Sequence, residues 1–328
     1  MATYKEIKGT QIEVLSSDPS NPVEGQVWYN STSNVLKGFK VLATGSWATT
    51  NSINTARNAA GGAGQTSAAA LLFGGYDGTS PGLSVDTESY NGTNWTEVNN
   101  LNTGRDAGVM GAGTATSALY AGMAPPSSPG YTESWNGTSW TEVNDLNSAR
   151  RIGAAAGASN TSAIVFGGNG TSANAEVWNG TNWTETGDLN TSRQQLAGSG
   201  TATSAIGIAG NAPSGITPNV ETFNGSNWTE VNNVNTQRFV LAANGYNASG
   251  NTASLAFGGE APPKTGATEE WNGTNWTEVA DLNTARQTLS AAGGTTSGMA
   301  FAGSVPSLTT ASEEWASTTP STVTFTDS

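Results

Sequence analysis

The chain has 328 residues, with 12 basic against 25 acidic side chains, a formal net charge of −13, and neither cysteine nor histidine. This composition excludes disulfides, thiolate nucleophiles, Cys/His zinc sites and any Ser-His-Asp triad, and its few cations make nucleic acid a poor partner. Only 35% of residues are hydrophobic and 42 are glycine, which would suit a disordered chain unless a regular pattern organises it.

Residues 1–42 carry four lysines against four acids and sum to zero. The whole charge therefore falls on residues 43–328, where seven Arg and one Lys face 21 acids. The opening MATYKEIKGTQIEV has no apolar h-region, so no signal peptide is expected. No apolar run approaches the ~20 residues of a membrane helix, and insertion into a membrane is not expected. EGQVWYNSTSNVLKGF reads as a β-hairpin, with VWYN and VLKGF flanking a polar turn.

From Trp47 onward one phrase recurs six times: a Trp and, ten positions on, an Arg, with Asn-Thr or Asn-Ser shortly before it. The copies begin at Trp47, Trp95, Trp140, Trp183, Trp228 and Trp276 and end at Arg57, Arg105, Arg150, Arg193, Arg238 and Arg286. Successive tryptophans are 48, 45, 43, 45 and 48 residues apart, a period that marks a propeller or solenoid built from short strands.

Residues 105–143 show one unit. DAGVMGAG is a run of small residues, as an innermost strand needs where backbones converge. SALYAGM is continuously apolar, as in a strand buried on both faces. YTESW and SWTEV alternate, and the Asn-Gly between them is a hairpin signal. Each unit is thus a four-stranded antiparallel meander. An apolar strand ending in Gly-Gly, an aromatic a fixed step before a Trp, and a loop ending in Arg together resemble the kelch repeat over roughly residues 43–316. The aromatic-to-Trp step is shorter than in most kelch units, five residues from Tyr90 to Trp95 and from Trp135 to Trp140.

The resemblance and the six inner-strand runs imply an all-β, six-bladed β-propeller of four-stranded antiparallel blades over residues 43–328, with residues 1–42 as an N-terminal attachment segment. The last blade has only three strands of its own, at 287–316, and SWATTNSI at 46–53 is expected to supply the fourth, joining the two ends of the ring. TVTFTD at 322–327 competes for that slot. If it wins, VWYN, VLKGFKV and WATT build a seventh blade.

The repeated Trp95, Trp140, Trp183, Trp228 and Trp276 are expected to pack between blades rather than to stack on sugar. Each third strand carries a glutamate two residues before its aromatic: Glu88, Glu133, Glu176, Glu221, Glu269 and Glu313. Six glutamates and six loop arginines suggest one ion pair per blade, with Glu176 and Glu221 the two options for Arg193. A glycosidase needs one asymmetric acid pair instead. The Asn-x-Ser/Thr sequons, among them Asn91, Asn94, Asn179, Asn182, Asn272 and Asn275, read as turn chemistry.

The loops between the second and third strands diverge in length and content and hold nine of the 12 prolines. A repeating scaffold with one diverging loop set places function on those loops, so Tyr76, Asp77, Pro125, Pro126, Tyr131, Pro213, Pro262, Lys264 and Pro306 are the candidate ligand contacts. No cofactor is expected. Oxygen-only calcium ligation around Asp77 and Asp86 is the one metal chemistry the composition leaves open.

The EGQVWYNSTSNVLKGF phrase also resembles short segments of phage tail-fibre and other virion surface proteins. That resemblance implies a non-enzymatic adhesin on the virion surface. Residues 1–42 would attach it to other virion proteins, and its loop face would bind a host surface glycan or protein. A homo-oligomer is left open. The rivals are a propeller glycoside hydrolase or lyase using Asp/Glu and a cytoplasmic protein-interaction propeller.

Overall fold

The computed structural model describes residues 12–20, 26–40, 45–79, 82–106, 110–122, 130–244, 248–317 and 321–325. The chain divides into two compact units, Met1–Thr44 with Thr318–Ser328, and Gly45–Ser317. Among the described residues the fold is all-β apart from one short 3-10 turn at Gly250–Thr252.

The larger unit contains six four-stranded antiparallel sheets among its described residues. The first runs Gly61–Thr66, Ala69–Phe73, Thr87–Tyr90, Trp95–Val98, and the second Gly111–Thr114, Ser117–Ala121, Gly130–Trp135, Trp140–Leu146. The third runs Ala154–Ser159, Ser162–Phe166, Ala175–Trp178, Trp183–Glu185, and the fourth Ala197–Thr201, Ser204–Ile208, Val220–Phe223, Trp228–Val231. The fifth runs Ala242–Ala243, Ser254–Phe257, Thr268–Trp271, Trp276–Val279. The sixth takes Ser290–Gly293, Ser297–Phe301 and Ser312–Ala316, and its outer strand is Ser46–Thr50, with Trp315 opposite Trp47. That slot is therefore not filled from residues 322–327.

The sheets lie in a propeller-like arrangement. Inner strands of successive sheets run side by side, and Ser290–Gly293 lies beside Gly61–Thr66. The small residues are needed there: a Cβ on Gly62 would stand 2.3 Å from the Ala291 carbonyl oxygen. Second strands are buried on both faces; Leu71, Leu72 and Phe73 are all fully buried. Hydrophobic burial is organised between sheets rather than in one centre. Each of six clusters draws on two neighbouring sheets, and one joins Met299 and Phe301 of the sixth to Leu72 and Trp95 of the first.

The outer-strand tryptophans sit in these interfaces. Trp140 meets Phe73 of the preceding sheet edge-on at 4.8 Å, Trp228 meets Phe166 at 4.6 Å, Trp47 meets Phe257 at 4.8 Å, and Trp95 meets Phe301 at 5.0 Å. The indole N–H needs an acceptor once buried. Where the preceding sheet begins its third strand with threonine, the hydroxyl accepts it: Trp140 to Thr87, Trp183 to Thr132, Trp47 to Thr268. Where that residue is Ala175, the Trp228 indole N–H has no partner; opposite Val220, Trp276 turns to the Asn232 carbonyl. At Ser312, which lacks threonine's Cβ methyl, both its own hydroxyl and the Trp95 indole are unpaired.

The hairpins joining third and fourth strands are held by their first asparagine. Asn91 Oδ1 accepts the amides of Thr93 and Asn94, and Asn179, Asn224 and Asn272 repeat the arrangement. In four of the five the preceding sheet then reaches the tip: Asn51, Asn99, Asn144 and Asn232 donate to the carbonyls of Thr93, Thr138, Thr181 and Thr274, whereas the third sheet has Gly187 in that place. The fifth sheet has Ala280 in that place, and the sixth sheet beyond it has no such hairpin, because its outer strand arrives from the other end of the unit.

The smaller unit is one sheet in the order Glu13–Leu15, Val27–Asn30, Val35–Lys40, Ser321–Phe325, its first pair parallel. The expected hairpin is present, with Val27 opposite Gly38. Ser321–Phe325, which the sequence reading set within the 43–328 domain, pairs here with Val35–Lys40. VWYN and VLKGFK thus belong to this sheet and do not join WATT in a further one. Its polar centre is Asp18, which accepts hydrogen bonds from Lys37 Nζ at 2.7 Å, Asn30 Nδ2 at 2.7 Å and the buried Trp28 Nε1 at 3.1 Å.

Two expectations follow. Ser312→Thr should raise stability by about 0.5–1.5 kcal/mol by holding the hydroxyl in the rotamer that accepts from Trp95, and Thr87→Val should cost about 1–3 kcal/mol by orphaning Trp140; equilibrium denaturation reads both. Lys37, then Asn30 and Trp28, lowers the Asp18 carboxyl from 3.8 to about 2. A depressed carboxyl stabilises the fold above its ordinary value and loses that contribution as pH falls. Carboxyl-detected NMR should therefore place its midpoint near 2, and Asn30→Ala should move it upward.

Candidate functional site

The loop that links each sheet to the next is fixed by a buried glutamate. Arg193 Nη2 meets Glu221 Oε1 at 2.8 Å, which settles the choice left open between Glu176 and Glu221. The other pairs are Arg57–Glu88, Arg105–Glu133, Arg150–Glu176, Arg238–Glu269 and Arg286–Glu313. Every one of these twelve side chains is at most 3% exposed, so none faces a substrate. Burial pushes the guanidinium pKa values of Arg57, Arg150, Arg193, Arg238 and Arg286 down, and the facing glutamate pulls each back up.

The sequence reading gave the glutamate one partner; it has several. The backbone N–H of Asn190 donates to Glu221 Oε2 at 2.6 Å, its Nδ2 donates at 2.8 Å, and the Thr191 amide reaches Oε1 at 3.2 Å. The same Nδ2 also reaches the Trp228 carbonyl at 3.0 Å. Asn54, Asn102, Asn147 and Asn283 act likewise on Glu88, Glu133, Glu176 and Glu313. The Asn-Thr-x-Arg phrase is therefore a carboxylate clamp. Its conserved spelling across the repeats was the available signal for the asparagine.

The clamp carries the divergent loops. Gly75, Gly168, Gly210, Gly259 and Gly303 each donate an amide at 2.9 Å to the carbonyl of the next clamp arginine, Gly303 to Arg57 included. Each of these glycines then accepts the amide of a returning hydroxyl residue: Ser84, Ser172, Thr217, Thr265 and Thr309. That residue's hydroxyl accepts the amide two positions on. Loop bases are thus identical while the tips, 76–83, 169–171, 211–216, 260–264 and 304–308, share no sequence. The varying distance between glycine and hydroxyl concealed this base from sequence reading.

The predicted contacts fall as follows. Tyr76, 39% exposed, pairs its backbone with Asn58 at the loop root. Asp77 Oδ1 accepts the amide and hydroxyl of Thr79, which lowers its carboxyl, and Asp86 Oδ2 stands 3.8 Å from Arg57, so both carboxylates have protein partners. Pro213, Pro262 and Pro306 are exposed at tips, and Lys264 is half-buried and bridges back to Glu260. Tyr131 is not a loop residue: it lies half-buried in Gly130–Trp135, where its carbonyl accepts the Gly122 amide. Pro125 and Pro126 lie outside the described residues. Among the described residues no three His, Cys, Asp or Glu side chains converge on one point.

Sequence reasoning missed the centre of this face. Two residues after the clamp arginine, Ala59, Ile152, Gln195, Val240 and Thr288 all have positive φ, between 48° and 56°. Their backbones are joined in series: Ala59 N–H to the Thr288 carbonyl, Thr288 to Val240, Val240 to Gln195, Gln195 to Ile152. Their side chains, with Gly153, Leu196 and Leu241, surround a cavity of about 120 Å³. Beside them Asp106 stands 3.9 Å from Arg151, and burial pushes its carboxyl up.

No protein-family model matches this chain, and neither does any curated protein.

Removing one clamp partner leaves a buried charge uncompensated. Glu221→Ala and Arg193→Ala should each cost about 3–5 kcal/mol in chemical denaturation, and the double variant less than the sum of the two.

Proposed function

We propose that the larger unit closes as a six-bladed, kelch-like β-propeller and that the protein is a non-enzymatic adhesin of a phage virion surface, of tail-fibre type. Closure is supported by the pairing of Ser46–Thr50 with Ser312–Ala316, the cluster that Phe301 and Trp95 share, and the Gly303-to-Arg57 hydrogen bond. The observation that carries the binding reading is the loop face: one hydrogen-bonded base repeated under tips that share no sequence. A scaffold that holds the base and lets the tip vary concentrates recognition on the tips. The ligand is a host surface molecule, and the smaller unit joins the protein to other virion proteins.

The hydrolase alternative loses its most regular acids, because the six glutamates are buried and committed to the clamp. Replacing tips 260–264 and 304–308 with Gly-Ser turns of equal length should abolish binding to host cells and move the melting temperature by no more than a few degrees. Unchanged binding, or cleavage of a surface polysaccharide by the intact chain, overturns the reading. Mass spectrometry of purified particles tests the virion assignment separately.

A further inference from the structure

The left-handed row at the centre of the loop face has a cost that its packing does not explain. Non-glycine residues at positive φ, β-branched ones above all, are strained. Glycine would remove that strain, and this chain uses glycine at many other positive-φ positions, including Gly74, Gly167 and Gly258 at the loop roots, where Ala209 and Ala302 take the same place in two repeats. At the row it keeps Ala59, Ile152, Gln195, Val240 and Thr288. What these side chains have in common is the cavity they line.

We infer that this cavity is a specificity pocket that takes the acetamido group of an N-acetylated amino sugar presented by a surface glycan. The inference rests on reading the loop face as a binding surface. At about 120 Å³ the cavity is well below the roughly 300–1,000 Å³ that encloses a whole small molecule, so it accepts a substituent while the rest of the ligand lies among the tips. Its lining is apolar, from Ala59, Ile152, Leu196, Val240 and Leu241, which suits a methyl group. Gln195 and Thr288 add one carboxamide and one hydroxyl, the donor and acceptor chemistry that an acetamide N–H and C=O require.

An anionic sugar is disfavoured. Residues 43–328 hold eight cations, and six of them are buried in clamps. A protein partner is disfavoured as well. Interfaces between proteins are anchored by large buried apolar side chains. Tyr76 is the one large hydrophobic that the larger unit exposes among its described residues.

The test is saturation-transfer NMR of the full chain with N-acetylglucosamine and N-acetylgalactosamine, glucose and galactose serving as controls. The expected result is saturation strongest at the acetyl methyl and at least tenfold weaker binding of both acetamido sugars by Gln195→Gly and Val240→Gly. Because glycine relieves the left-handed strain, both variants should melt at or above the parent temperature. A role in packing alone predicts the reverse, lower melting and unchanged binding. If the tips bind host cells but neither acetamido sugar binds, or if the glycine variants bind as the parent does, the pocket assignment falls and the adhesin reading stands. If no cell and no sugar binds, both fall.

Discussion

The arrangement of the larger unit depends on six carboxylates buried away from water. A buried charge is tolerable only when every lone pair is used. Here each glutamate recruits an arginine, an asparagine backbone amide and, in most repeats, the asparagine side chain and the following amide. Those donors all belong to the loop arriving from the previous sheet. Satisfying the charge therefore fixes where that loop lies, and with it the angle at which one sheet meets the next. The neighbouring residue Leu101, Leu146, Leu189, Val234, Leu282 or Ile53 is buried in the same interface, so apolar packing and charge satisfaction select a single loop position.

The loop face inherits that order. The clamp arginine's carbonyl receives the loop-root glycine, and the left-handed row begins two residues further on. Side chains that differ in every repeat thus stand on backbone that does not. Ordered roots of this kind lower the entropy that any binding at the tips would cost.

Much of this was legible in the sequence, and for identifiable reasons. Period-2 alternation placed the third and fourth strands, small residues placed the inner ones, and equal numbers of Glu and Arg revealed the ion pairs. The row at Ala59, Ile152, Gln195, Val240 and Thr288 was not legible, because its left-handed backbone carries no glycine to announce it. The pairing of Ser321–Phe325 with Val35–Lys40 was missed because it joins distant segments whose local pattern fits several partners. Tyr131 was named with the loop contacts although YTESW already read as a strand; the strand begins one residue earlier, at Gly130, with a register shift there.

The origin of the sixth sheet's outer strand bears on how the protein is made. Ser46–Thr50 leaves the ribosome before any of the six inner strands, and its partner Ser312–Ala316 comes almost at the end of the chain. At ~5–20 residues per second the interval is on the order of tens of seconds. Throughout it, the first-made strand has no native ladder to join, and the sheets already built present an open edge to solvent. Its exposed positions are Ser46, Ala48 and Thr49, with Trp47 the single large apolar side chain. So polar a strand offers little to a passing neighbour during the wait before Ser312–Ala316 arrives to pair with it.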